Sequence, residues 1–211
     1  MNEPDYRRHL PHFTPNDAPY YITARLTDSL PATVLEKLQS DHRDLLRRKQ
    51  RSGSVDSEEI RRLQKRYLVE LDRALDQCVS GPKWLALPPV MDIVRNHLMR
   101  GEEEGIVTLW CFTIMPNHVH LLFRLDKGVL RDAMQLVKGR SAYDCNKLLA
   151  RHGAFWQHES YDHVVRESEF ARIVRYILLN PVKAGLVKRW QDWPGCYLHP
   201  SIYGFEDLGA S

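Results

Sequence analysis

Several features that would settle the class of this chain are missing from it. No apolar run approaches the length of a membrane-spanning helix. The start, Met1-Asn2-Glu3-Pro4-Asp5, lacks the basic-then-apolar layout of a secretion signal, so a cytoplasmic location is expected. Cysteine is scarce: Cys78, Cys111, Cys145 and Cys196 lie far apart with no CxxC spacing, which reads as free thiols and excludes a disulfide framework or a cysteine-built zinc site. There is no glycine-rich phosphate loop, and hence no sign of nucleotide hydrolysis. Repeats and low-complexity segments are absent, and no sign of charge dominates: 30 Lys and Arg face 27 Asp and Glu, for a net charge of +3.

What the chain does contain is enough apolar material for one core: 43% of 211 residues are hydrophobic. We expect one domain over residues 1–211, with a helical-hairpin insertion at 32–77 and a tail at 198–211. Tyr20 through Leu26 is aromatic and β-branched and reads as a strand. Helices are expected at about 32–49 and up to about 77, broken near Arg51-Ser52-Gly53-Ser54, with Asp56 and Glu59 at capping-box spacing. A helix over 89–99 and strands over 106–114 and 118–125 follow, the two strands joined by the turn Met115-Pro116-Asn117. Then come a long helix at 129–150, a strand-like stretch from Phe155 to Arg166 with loop character at its start, and a helix capped by Ser168, running to about Leu179 and stopped by Asn180-Pro181. The segment from Val182 onward reads as irregular. This order predicts an α+β fold, an antiparallel sheet with helices packed on it.

Two patterns carry chemistry. His118-Val119-His120 begins a strand, where alternate side chains share a face, so the two imidazoles stand roughly 6–7 Å apart along the strand and can hold one divalent ion. Val119, Leu121 and Phe123 then enter the opposite face. In the later helix, Phe170, Ile173, Val174, Ile177 and Leu178 form an amphipathic stripe, with Tyr176 and Asn180 on its flank one turn apart. A phenol placed there can reach a cleft. The alternatives are an ordinary interfacial tyrosine and an asparagine that only ends the helix.

The positive charge is clustered. Arg43, Arg47, Arg48, Lys49 and Arg51 form one group, and Arg61, Arg62, Lys65 and Arg66 another. Arg47, Arg48, Lys49 and Arg51 are the candidate phosphate contacts, and the hairpin, distant from the motifs in sequence, is expected to help bind DNA instead of performing chemistry. Interspersed Asp41, Asp44, Glu58 and Glu59 leave open a solvated helix face with no partner.

Taken together, Met115-Pro116-Asn117-His118-Val119-His120-Leu121-Leu122, Tyr161-Asp162-His163 with Arg166, and Tyr176 through Val187 resemble the REP-associated tyrosine transposases, a branch of the IS200-like Y1 (HUH) transposase family. The resemblance covers roughly residues 18–197, with gaps in the helical hairpin. It implies a ferredoxin-like or RRM-like fold, with His118 and His120 as metal ligands, Asn180 in the third-ligand position and Tyr176 as nucleophile. Relatives in the insertion-sequence branch carry the longer Gln at that third position. It further implies Mg²⁺ or Mn²⁺ as cofactor and cleavage and rejoining of single-stranded DNA through a 5′-phosphotyrosine. The expected partner is hairpin-forming single-stranded DNA with REP-like palindromes, bound by a monomer or homodimer. Competing readings are a catalytically silent nucleic-acid-binding module or repressor on the same fold, a replication initiator or relaxase, and a zinc hydrolase recruiting His97, His158 or His163. For Tyr161-Asp162-His163 a structural role and a DNA contact are equally open.

Overall fold

A computed structural model describes residues 18–51, 57–77 and 80–205. The expected helix break at Ser52 to Ser54, the cap at Asp56, the thiol of Cys78, most of the polar N-terminal stretch and the end of the tail lie outside the described residues. The framework is a five-stranded antiparallel sheet. Its strands are β1 (Pro19–Arg25), β2 (Val107–Ile114), β3 (His118–Leu125), β4 (Tyr161–Val164) and β5 (Cys196–Leu198), in the order β4-β1-β3-β2-β5. Helices α1 (Ala32–Arg51) and α2 (Ser57–Gln77) follow β1, and α3 (Pro88–Glu103) leads into β2. A helical run of α4 (Leu130–Gln135), a π-helical turn (Leu136–Arg140) and α5 (Ser141–Leu148) joins β3 to β4.

Without α1 and α2, the order β1-α3-β2-β3-(α4, α5)-β4 is the split βαβ pattern of ferredoxin-like folds, as expected. β3 threads antiparallel between β1 and β2. On one face Ile22, Ala24, Phe112, Val119, Leu121 and Phe123 meet Val90, Val94 and Leu98 of α3 and Ala133 and Cys145 of the α4–α5 run. On the other, Tyr21, Cys111 and Leu122 meet Ile173, Val174, Ile177 and Leu178 of α6 (Glu167–Leu178), joined by Leu68 of α2.

This double burial fixes the register of β3. A slip of one residue would drive His118 and His120 into the apolar core and expel Val119, Leu121 and Phe123, at about 1.5–3 kcal/mol for each exposed apolar side chain. A bulge between Leu109 and Cys111 of β2 keeps Leu109 and Phe112 on the same face.

Two expectations hold with detail added, and two need correction. The stretch from Phe155 to Arg166 has the expected loop character at its start, with one isolated bridge between Leu26 and Trp156, and pairs as a strand over Tyr161–Val164. As expected, the helix ends just before Asn180-Pro181: α6 stops at Leu178, and after Leu179 a separate turn, α7 (Asn180–Lys183), carries proline in its first turn, where the missing N–H is not needed. The segment after Val182 contains β5, which pairs Cys111 with Leu198 and Thr113 with Cys196. At the start of α6, the Glu169 carboxylate accepts from the Arg166 backbone N–H at 3.3 Å, in place of the expected Ser168 cap.

Candidate active site

β3 and α6 bring the motif residues together. His118 and His120 point from β3 toward α6, both completely buried, and their Nε2 atoms face each other at 3.0 Å. The surroundings set their tautomers. Asn117 Oδ1 can only accept, so His118 Nδ1 donates to it at 2.7 Å. Thr23 donates to the Tyr21 hydroxyl and Tyr21 donates to Asp72, so His120 Nδ1 is the donor toward Tyr21 Oη, 2.8 Å away, and Thr23 Oγ1, 3.0 Å away. Each Nε2 therefore presents a lone pair to the other. Burial holds His118 down to about 3, and burial with neighbouring His118 and Lys183 pushes His120 well below the ordinary imidazole range, so protonation does not relieve this opposition.

That arrangement fits a divalent ion. Two nitrogens bound at about 2.1 Å and at right angles stand about 3.0 Å apart, and hydrogen-bonded Nδ1 atoms are how metal-binding imidazoles are oriented. The carbonyl oxygen of Asn180 is buried without a hydrogen-bond partner, as a donor atom awaiting a cation would be. Among the described residues no three His, Cys, Asp or Glu side chains gather as a metal cluster. His97 pairs with Asp144 at 2.8 Å and His163 with Glu169 at 3.3 Å, and no metal cluster recruits either of them or His158.

Tyr176 lies half-buried on α6, its ring 5.8 Å from that of His120. The hydroxyl of Thr113 on β2 donates to the Ile177 carbonyl at 2.8 Å and anchors this turn of α6 to the sheet. Lys183 Nζ stands over the Tyr176 ring, 4.6 Å from its centre. The Tyr176 hydroxyl donates to Asp72 Oδ2 at 2.7 Å, and burial together with the Asp72 charge raises the phenol above its ordinary range.

Asp72 belongs to α2, in the hairpin expected to bind DNA instead of performing chemistry. Sequence reasoning missed it. Asp72 is buried, with Oδ1 unpartnered, and burial raises its carboxyl to about 8. One turn on, Asp76 Oδ1 lies 3.9 Å from His118 Nε2, and burial raises that carboxyl to about 6. Lys65 pairs with Glu169, and Arg166 with Glu58 at 3.1 Å, fastening α2 beside α6. The only sequence signal was the i, i+4 spacing of two aspartates on an otherwise amphipathic helix.

The basic residues of the hairpin stand elsewhere. Arg47, Arg48, Lys49 and Arg51 are exposed at the end of α1. Arg47 lies 3.8 Å from Asp44 and Lys49 2.9 Å from Glu59, while Arg48 lines a groove between α1 and α2 that also holds Asp41 and Glu70. Tyr161-Asp162-His163 forms the edge strand β4 against β1, and its His163 holds Glu169 at the start of α6.

Comparison with known proteins places this site in a family context. Residues 89–180, which include His118, His120, Tyr176 and Asn180, match the family described as "Transposase IS200 like", so the resemblance read from the motifs holds over that segment. The chain is 32% identical over 101 residues to a Haemophilus influenzae protein whose name places it among REP-associated tyrosine transposases, a match covering 42% of this chain and 57% of that protein. It is 23% identical over 113 residues to the REP-associated tyrosine transposase of Escherichia coli K12, covering 52% of this chain and 66% of the relative. The matches thus span less than two thirds of either relative. A solved structure of a REP-associated tyrosine transposase bound to a REP hairpin shares the fold, with a TM-score of 0.57 and 16% identity over 98% of this chain and 90% of the other. The hairpin of α1 and α2 lies outside the family-matched segment.

Proposed function

We propose that this relative of the IS200-like transposases cleaves and rejoins hairpin-forming single-stranded DNA through a 5′-phosphotyrosine on Tyr176. The observation that carries the reading is the convergence of the opposed Nε2 lone pairs of His118 and His120 with the Tyr176 phenol, in one buried site. His118, His120 and Asn180 would hold Mg²⁺ or Mn²⁺. Bound there, such an ion supplies charge that polarises the scissile phosphate and steadies the leaving 3′-oxygen.

The chain's own residues do the rest. The imidazoles and the amide are themselves neutral, so the negative charge near the phosphodiester comes from Asp72 and Asp76, with Lys183 beside them. Asn117, Tyr21 and Thr23 lock both imidazoles in the tautomer that leaves Nε2 free. Thr113 fixes the turn of α6 that presents Tyr176. The phenol oxygen attacks phosphorus, and the 3′-oxygen leaves. One phosphate ester replaces another, so the step is nearly isoenergetic and the free 3′-hydroxyl can reverse it without a nucleotide cofactor.

The hairpin of α1 and α2 is proposed as an insertion whose Arg47, Arg48, Lys49 and Arg51 follow the DNA backbone. The REP hairpin carried by the structural neighbour supports a folded single strand as the substrate class. Incubation of the protein with a labelled single-stranded hairpin oligonucleotide and Mn²⁺ tests the reading. A detergent-resistant protein–DNA adduct is expected, absent from Tyr176→Phe; hairpin binding without any adduct would favour the silent binding module.

A further inference from the structure

The hydroxyl of Tyr176 donates to one side chain, Asp72. The histidines are poorly placed as bases. His120 commits Nδ1 to Tyr21 and Thr23 and turns Nε2 toward His118, while His118 commits Nδ1 to Asn117. Lys183 approaches the face of the Tyr176 ring. We propose that Asp72, on the inserted helix α2, is the general base of the reaction, taking the Tyr176 proton during cleavage and returning it during rejoining. This rests on the reading of Tyr176 as nucleophile.

The geometry is that of a proton-transfer pair: 2.7 Å between oxygens, the carboxylate buried, and its second oxygen without a partner. The site is graded in exposure. Asp76, its side chain 22% exposed, and exposed Lys183 stand at its open end, and buried Asp72 closes its inner end. A base in the inner position does not block entry of a phosphate from the open end. Burial also lifts the Asp72 carboxyl to about 8, so its base form gains population as pH rises toward 8.

The step balances. As the bond from Tyr176 Oη to phosphorus forms, its proton passes to Asp72 Oδ2. The bond from phosphorus to the 3′-oxygen breaks, its electron pair stays on that oxygen, and a proton from solvent completes the 3′-hydroxyl. In rejoining, the 3′-hydroxyl loses its proton to solvent as it attacks, and the departing Tyr176 oxygen recovers the proton held by Asp72. A buried carboxyl suits this task, because the proton stays in the site between the two half-reactions.

The test uses Asp72→Asn, which keeps the size and an acceptor oxygen but cannot take the proton. In single-turnover reactions near neutral pH, adduct formation should fall about 100-fold, with hairpin affinity unchanged. Trifluorotyrosine at position 176, whose phenol is far more acidic, should restore most of that rate in Asp72→Asn and add little in the parent. Asp72→Glu should recover part of the loss. A solvent deuterium isotope effect in the parent chain, lost on trifluorotyrosine substitution, gives a readout independent of how Asp72 variants fold.

An Asp72→Asn rate at or above the parental rate, a loss that trifluorotyrosine does not recover, or absence of the isotope effect overturns the proposal. Adducts that persist in Tyr176→Phe would overturn the nucleophile reading itself. Their loss there, beside an undiminished Asp72→Asn, overturns the role of Asp72 alone.

Discussion

The side-chain amide of Asn117 donates to the backbone carbonyl of Leu75 at 3.0 Å, tying the turn before the histidine strand directly to the inserted helix α2. The same amide accepts from His118 Nδ1 through its oxygen. One buried asparagine thus sets the tautomer of a ligand candidate and docks the helix that carries Asp72.

Asn117→Ala should therefore damage metal binding without removing a ligand. His118 would lose the acceptor that orients it, and Mn²⁺ affinity measured by titration calorimetry should fall about 10–100-fold. The carbonyl of Leu75 would also lose its buried partner, lowering stability by about 1–3 kcal/mol in denaturant melts. Parental Mn²⁺ affinity in this variant would remove Asn117 from the account.

Replacing the ligands themselves should order differently. His118→Ala and His120→Ala each delete an Nε2 donor and should abolish cleavage and measurable Mn²⁺ binding. Asn180→Ala should be milder, because water can fill the place of an amide shorter than glutamine. Equal inactivity of all three variants would show that Asn180 contributes as strongly as the imidazoles; unchanged Mn²⁺ binding in the histidine variants would end the metal reading.

A pH-dependent stability follows from Asp72. Its folded carboxyl is raised to about 8, against about 3.9 in an unfolded chain. The unfolded state therefore releases this proton first as pH rises, and the folded state loses stability between about pH 4 and pH 8. Asp72→Asn does not titrate, so in thermal melts it should gain on the parent across that window, with the gap widest at pH 8. A gap independent of pH would contradict the burial of an ionisable group at this position.

The basic end of α1 should act through charge. Neutralising Arg47, Arg48, Lys49 and Arg51 together should weaken hairpin binding and reduce the slope of log affinity against log salt. Each released single-strand contact is worth about 0.7 in that slope. Because Arg47 and Lys49 already pair with Asp44 and Glu59, the drop should correspond to fewer than four contacts. Cutting at saturating DNA should stay at the parental rate. An unchanged affinity and salt slope would assign this cluster to a solvated helix face.

Much of the frame was legible because local periodicity and burial agree. β3 occupies the span expected of it, and its alternation alone put His118 and His120 opposite Val119, Leu121 and Phe123. The Tyr176 helix showed its stripe for the same reason. The misses share a different cause. β5 is three residues long and exists only through its pairing with β2, some eighty residues earlier in the chain. The stop at Asn180-Pro181 held, but the separate turn α7 that follows it went unread, because proline in a first turn leaves no pattern of its own. Asp72 went unread because the hydrogen bond that gives it meaning crosses 104 positions, and the i, i+4 spacing of Asp72 and Asp76 does not by itself mark a polar residue that faces the sheet.

The most direct measurement is peptide mapping by mass spectrometry of the adduct formed with a hairpin oligonucleotide of known sequence. The account predicts a single modified residue, Tyr176, joined through its phenol oxygen to the 5′-phosphate of the downstream fragment, with a free 3′-hydroxyl on the upstream one. Attachment to any other residue, or linkage through a 3′-phosphate, would contradict it.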